Sequence, residues 1–425
     1  MTPRRALLAA WGLFAALLLL MVGHGLIGVV TGVRSELEGF GDTTIGLIVA
    51  AYFGGFLIGS QVAPRIMAKV GHVRAFAGLS SLLVAATLAQ SLLVDPVLWM
   101  ALRLVFGLCM SSLYVVVESW LNEAVTNENR GRVLAVYMVV GMGGIGLGQL
   151  LLGTASPMTQ SLFILGAILL ALAIVPISLA EDSSPEFVEP PRLKARHIWK
   201  VAPLGIFAAT MVGIANSALL GLAGVYATQV GLDSSQTAIF VGAAAFGSVA
   251  LQWPIGHISD VIGRRPTILG VTTLAGVVAL IAMTLTPGSS GMLGAMFLMG
   301  GLSYPMYSLA LSHVVDVLPK GQAVSGSMVI VFVTGIGSVI GPVLTSVVMG
   351  NAGPNGFWWT MAAVHALIAL FALMRLLRRR AISRETPEPY VAVPARSTYL
   401  IGSDEWARGA EPIESDLELD QRATE

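Results

Sequence analysis

Long apolar runs separated by short polar breaks organise this chain. The first six runs cover approximately residues 6 to 30, 43 to 63, 75 to 94, 97 to 121, 133 to 153 and 160 to 179. A polar, proline-containing stretch follows from Glu181 to Lys200, and six more runs lie at about 201 to 228, 237 to 257, 267 to 286, 291 to 313, 323 to 349 and 357 to 377. Crossing ~30 Å of hydrocarbon takes roughly 20 helical residues, so each run predicts one membrane-spanning helix. Arg4 and Arg5 ahead of the first run give it the look of an export signal. It is too long for one, and many comparable segments follow, so it reads as the first span.

Composition agrees with that pattern. Hydrophobic residues make up 55% of the chain and charged residues 11%, against about 25% charged in soluble domains, which makes the bilayer the natural solvent. Net charge is zero, so the placement of the basic residues carries the information. Short loops that stay in the cytoplasm retain lysine and arginine, and short exported loops lack them. With the N-terminus inside, the inside connections hold Arg65, Lys69, Arg74, Arg130, Arg132, Arg192, Lys194, Arg196, Lys200, Arg264, Arg265 and Lys320, whereas the outside connections hold only Arg34. The run Arg378 to Arg380 then lies inside after the twelfth span, and an odd number of spans would destroy this agreement. Residues 381–425 contain four prolines and ten acidic residues against four basic ones, the composition of a disordered cytoplasmic tail.

An internal repeat appears at a lag of about 192 residues: Gly71-His72 after the second span matches Gly263-Arg264 after the eighth, and Gly144 and Gly148 match Gly337 and Gly341. The expected fold is therefore an all-α membrane protein of twelve transmembrane helices in two pseudo-symmetric six-helix bundles. The N-terminal bundle spans residues 1–180 and the C-terminal bundle 201–380, joined by a cytoplasmic linker at 181–200. Internal repeats of this kind build many secondary transporters, which hold substrate between the repeats near mid-membrane.

The strongest local motif is the run Gly256-His257-Ile258-Ser259-Asp260-Val261-Ile262-Gly263-Arg264-Arg265-Pro266 between the eighth and ninth spans. It resembles a loop of the major facilitator superfamily, in which a glycine and two or three further residues precede aspartate, arginine, any residue, glycine, and arginine followed by arginine or lysine. Only the first arginine is missing, replaced by Val261. An aspartate near a helix end can pair with arginines and with a neighbouring helix terminus, which makes Asp260, Gly263, Arg264 and Arg265 candidate gating residues. The N-terminal copy keeps Gly71, His72 and Arg74 but has Ala68 where the aspartate would align, so its gate should be weaker. Positive-inside topology alone would also account for Arg65 and Lys69.

In the fourth span Arg103, Gly107, Ser111, Tyr114 and Glu118 fall within about 80° of one helix face. A charge near the membrane centre costs roughly 2.5 to 3.5 kcal/mol on insertion scales, so such groups usually face a wet interior. Arg103 and Glu118 are ~22 Å apart along the axis and need separate partners. Arg103 to Gly107 is similar to the superfamily's arginine, three residues, glycine pattern on this helix, where the arginine is associated with proton coupling or substrate contact. The runs Glu118 to Asn122 and Gly71 to Phe76 resemble a YcaD-like bacterial branch. Gly337, Gly341 and Pro342 resemble an antiporter motif that belongs to the fifth span, where Gln149 replaces the proline here. Glycines spaced by four also serve close helix packing.

The resemblance covers nearly all of residues 1 to 380 and implies a central cavity lined by spans one, four, seven and ten. Beyond the fourth, those spans offer His24; Asn216, Ser217 and Tyr226; and Ser303, Tyr304, Tyr307 and Ser308, with Gln252 and Trp253 of the eighth span as weaker candidates. Aromatics beside a few hydroxyls and amides suit a small organic solute. The residues expected to serve substrate or proton coupling are Arg103, Glu118, Tyr114, Asn216, Tyr304, Tyr307 and His24. The glycines at 141–148 lie inside a span and not between a strand and a helix, and the chain has no P-loop, so nucleotide binding is excluded. Six scattered histidines and a single cysteine, Cys109, form no metal-ligand pattern, and no cofactor is expected.

The expectation is a monomeric, non-enzymatic carrier in the bacterial inner membrane, proton-coupled, moving a small molecule and binding no nucleic acid. An uncoupled facilitator and a non-transporting sensor or scaffold on the same fold are the alternatives. With both termini cytoplasmic, an alkaline-phosphatase fusion after Arg380 should be inactive, and phosphatase activity there would overturn the topology.

Overall fold

The computed structural model describes residues 3–124, 130–178, 195–318 and 322–378. Parts of the expected linker (179–194), the acidic tail, Lys320, Arg379 and Arg380 lie outside the described residues. In hydrocarbon no water satisfies a backbone amide or carbonyl, so each crossing segment must close its own hydrogen bonds as a helix. The first half contains α1 (Pro3–Leu37), α2 (Asp42–Val70), α3 (His72–Leu92), α4 (Pro96–Ala124), α5 (Arg130–Leu150), α6 (Ser161–Leu172) and α7 (Ile174–Ser178). After α8 (Ala195–Val201), the second half contains α9 (Pro203–Gln229), α10 (Ser234–Ile262), α11 (Arg264–Ala282), α12 (Ser290–Ser303), α13 (Met306–Val315), α14 (Ala323–Ala352) and α15 (Gly356–Arg378).

Among the described residues eleven segments are long and apolar enough to cross a membrane, with α6 and α7 counted as one. The tenth expected span, 291 to 313, departs from a single rod. It is divided into α12 and α13 by a turn at Tyr304-Pro305. Pro305 has no N–H for the carbonyl four residues earlier, and its ring crowds the preceding turn. The two pieces together supply the twelfth crossing.

The two halves repeat one packing scheme. In the first, α2 packs on α4, α1 on α5 and α3 on α6; in the second, α10 packs on α12, α9 on α14 and α11 on α15. Glycines sit at the equivalent crossings. A Cβ at Gly55 would strike the Leu104 carbonyl and one at Gly107 the Tyr52 carbonyl; in the second half Gly247 meets the Phe297 carbonyl and Gly300 that of Ala244. Gly148 lies against Val22, Gly337 against Thr210 and Gly341 against Ile214. The Gly337 to Pro342 segment is thus a packing seam between α14 and α9, and Gly144 and Gly148 do the same for α5 on α1.

The repeat is also visible in the backbone. Gly71 joins α2 to α3 at φ 79°, ψ 169°, and Gly263 joins α10 to α11 at φ 94°, ψ 158°. Only glycine enters that region without strain of ~1 to 3 kcal/mol. Gly263→Ala should therefore destabilise the protein by about 1 to 3 kcal/mol. Thermal unfolding of the purified protein checks this, and an unchanged transition would contradict it.

Candidate functional site

Close approaches between the halves gather toward the face opposite the basic loops. Gly46 of α2 lies against Ser346 and Pro342 of α14, Gly221 of α9 against Val49 of α2, and Gly153 against Ser235. At the rim of that face Gln229 Nε2, at the end of α9, donates to Glu36 Oε2 at 3.1 Å and to Asp42 Oδ1 at 2.7 Å. One amide of the second half thereby bridges the end of α1 and the start of α2. Arg34 pairs with Glu38 and donates to the Pro157 carbonyl at 2.9 Å, fastening the end of α1 to the loop before α6.

Below this closed region lies a partly open cavity of about 70 Å³. Phe53, Phe56 and Leu57 of α2 line one side; Asn216, Ser217, Thr334 and Ser338 of α9 and α14 line the other, with Tyr114 and Tyr304 also in the wall. Ser303 Oγ donates to Asn216 Oδ1 at 2.7 Å, and the buried Asn216 Nδ2 has no hydrogen-bond partner. The lining differs from the expected set of spans: α4, α9 and Tyr304 contribute as foreseen, α1 contributes nothing, and α2, α5, α10 and α14 supply the rest. Spans two and eleven enter because α2 packs directly on α14 at the junction of the halves.

Arg103 and His24 lie elsewhere. They share a second, smaller chamber with Thr31, Tyr52 and Gln149. Phe53 and Leu220 line both spaces, forming a partition between them. The buried Arg103 guanidinium sits 4.8 Å from the Tyr52 ring centre and 4.7 Å from that of Phe106. Cation–π contacts of this kind contribute about 0.5 to 2 kcal/mol. Arg103 Nε and Nη1 and Gln149 Oε1 have no hydrogen-bond partner, and His24 packs against Tyr52 and Phe106.

Glu118 is buried and accepts a 2.8 Å hydrogen bond from the Tyr137 hydroxyl of α5. Tyr114 donates to Met21 Sδ at 2.8 Å. Tyr307 is fully buried, outside the cavity wall. Tyr226 packs among Phe240, Phe357 and Trp358, Ser308 accepts from Gln252, and the largely exposed Trp253 stacks on His257. None of these four side chains lines the cavity.

At the basic-loop face Arg264 bonds Asp260, Ser259 at 2.9 Å and Asp316 at 3.0 Å, tying the ends of α10, α11 and α13 together. Its repeat-equivalent, His72, packs at a tilt against Trp120 of α4 with ring centres 5.7 Å apart, and Arg74 is exposed. Gln229, Thr334, Phe53 and Leu220 were absent from the sequence expectations. Glu36 and Asp42 flanking one tight outer turn were a signal for a polar rim contact, but apolar Phe53 and Leu220 carried none.

Sequence and structure comparisons converge. The family model described as Major Facilitator Superfamily matches residues 6–337 and 205–408. An uncharacterized MFS-type transporter of Enterobacter sp. (strain 638) is 27% identical over 369 residues, 85% of this chain and 94% of that protein. The uncharacterized MFS-type transporter YcaD of Escherichia coli O139:H28 is 26% identical over 383 residues, covering 90% and 97%. The fold superimposes on a mutant form of the nucleoside transporter NupG with a TM-score of 0.75 at 11% identity, covering 86% of this chain and 99% of that one.

The Gln229 bridge leads to a direct test. Gln229→Glu sets a third carboxylate beside Glu36 and Asp42, replacing two charge-assisted bonds worth about 1.5 to 3 kcal/mol each with repulsion. A Ser346→Cys reporter at the Gly46 seam should then label about tenfold faster with an impermeant maleimide from the outer face; Cys109 is buried. Equal labelling rates would remove Gln229 as a latch.

Proposed function

This chain belongs to the Major Facilitator Superfamily of membrane transporters, and we propose that it moves a small organic solute across the bacterial inner membrane by proton-coupled alternating access. The observation that carries this reading is a mid-membrane cavity between two repeats whose contacts gather on one face. On the positive-inside orientation that face is external, so the conformation is inward-facing. A second state follows if the halves rock about the cavity, parting at Gly46/Ser346 and closing at the basic loops.

The gating residues fit this scheme as follows. With the inner face open, Arg264 is held by Asp260, Ser259 and Asp316 of its own half. Asp260 keeps about a third of its side chain exposed, at 35%, and is placed to meet the other bundle when that face closes. Gly263 sets the turn that presents Arg264 and Arg265. Gly71, His72 and Arg74 form the weaker counterpart, since a tilted ring contact stands where the second half has an ion pair.

For coupling, Glu118 is the proton carrier in this proposal. It is a buried carboxylate hydrogen-bonded to Tyr137, on the helix that also brings Tyr114 to the cavity. Arg103 is unsuited to carrying a proton, because a guanidinium stays protonated. It stands behind the Phe53/Leu220 partition, where it tunes the chamber it shares with His24 and Gln149. Asn216 and Tyr304 contact the solute, and Tyr307 supports the wall from behind.

In proteoliposomes carrying a pH gradient, wild-type protein should accumulate its solute uphill. Glu118→Gln should lower uphill accumulation at least tenfold while leaving solute exchange measurable, because exchange needs alternation but no net proton movement. Arg103→Ala should reduce both. Accumulation at the wild-type rate by Glu118→Gln would move proton carriage to another group, and uptake by the wild type that ignores the gradient would identify an uncoupled facilitator.

A further inference from the structure

The cavity wall defines the kind of solute it can hold, an inference that rests on the transporter reading above. Among the described residues that line it there is no aspartate, glutamate, lysine, arginine or histidine. Arg103 and Glu118 of α4 are both outside it, Arg103 in the neighbouring chamber and Glu118 on Tyr137. A charged solute entering here would shed water without gaining a counter-charge, and ions buried without a partner are strongly disfavoured.

The wall is also two-sided. The α2 side offers two phenyl rings and a leucine beside the Ser60 hydroxyl, with Met142 and Ile145 of α5 continuing that mainly apolar surface. The α9 and α14 side sets Asn216, Ser217, Thr334 and Ser338 among Leu220 and Val331, and two of its polar groups have been left wanting. Ser303 occupies Asn216 Oδ1, while Asn216 Nδ2 and Thr334 Oγ1 are buried without hydrogen-bond partners among the described residues. The two sit near one helix crossing, because Gly213, one turn before Asn216, lies directly against the Thr334 carbonyl. A buried donor left unpaired is costly, so a ligand group that satisfies it gains selectivity.

We propose that the central cavity selects an uncharged solute with an apolar ring or chain on the α2 side and a hydrogen-bond acceptor directed at Asn216 Nδ2 and the Thr334 hydroxyl. Asn216 is the specificity-determining residue, oriented by Ser303. The Arg103 chamber, which borders the cavity across Phe53 and Leu220, places no charged side chain in this wall.

Three probes of matched size and different charge test it: benzamide, benzoate and benzylammonium, titrated against the purified full chain in nanodiscs at pH 7 by saturation-transfer NMR. Benzamide should bind at least tenfold more tightly than either ion. Asn216→Leu and Thr334→Val, each confirmed monodisperse, should weaken benzamide at least threefold, and Asn216→Asp should reverse the order in favour of benzylammonium. Benzoate or benzylammonium binding as well as benzamide to the wild type, no binding by any probe, or benzamide binding unaffected by both the Asn216→Leu and Thr334→Val changes would overturn the proposal. Binding requires no gradient, so the coupling mechanism can fail while this selectivity stands. Uphill movement of an ionic solute would instead sink the selectivity and leave the transporter reading intact.

Discussion

Helices surrounded by hydrocarbon gain nothing by hiding apolar side chains from one another, since lipid is as apolar as leucine, and they associate through close van der Waals contact. In this protein that contact is made by glycine. Backbone carbonyls of Leu104, Tyr52, Phe297 and Ala244 occupy the space a Cβ would need at Gly55, Gly107, Gly247 and Gly300. The same device recurs at equivalent crossings of the two halves, fixing which faces of α2, α4, α9 and α14 remain for the cavity. Once α9 and α14 lock at Gly213 and Gly337, Asn216 and Thr334 are committed to one patch of wall.

Much of this architecture was legible in the chain, because a span is a local property of some twenty residues and a repeat is a property of spacing. The paired glycines at 71 and 263 marked the same backbone turn in both halves. The break at Tyr304-Pro305 was not legible from proline alone, since Pro64, Pro254 and Pro342 lie within continuous helices. Membrane helices tolerate proline where neighbours satisfy the freed backbone groups, and that depends on partners a local reading does not contain.

The polar side chains divide in the same way. Helical periodicity placed Arg103, Tyr114 and Glu118 on one face of α4, and the three nevertheless meet different surroundings: aromatic rings, a methionine sulfur beside the cavity, and a tyrosine of α5. A shared face says nothing about depth, and the partition that separates Arg103 from the cavity comes from α2 and α9. Asn216 was recognisable as a polar residue in an apolar span, but its orientation depends on Ser303, 87 residues away.

The break between α12 and α13 makes the two halves mechanically unequal. The corresponding helix of the first half, α4, runs unbroken through Ser112, the position one repeat before Tyr304. The second half therefore has a joint where the first has a stiff strut. Tyr304 stands at that joint in the cavity wall, and beyond the far end of the short α13 lever Asp316 is fastened to Arg264. Tyr304 in the cavity wall is thus joined through ten helical residues to the ion pair at the loop, a connection the first half lacks among its described residues.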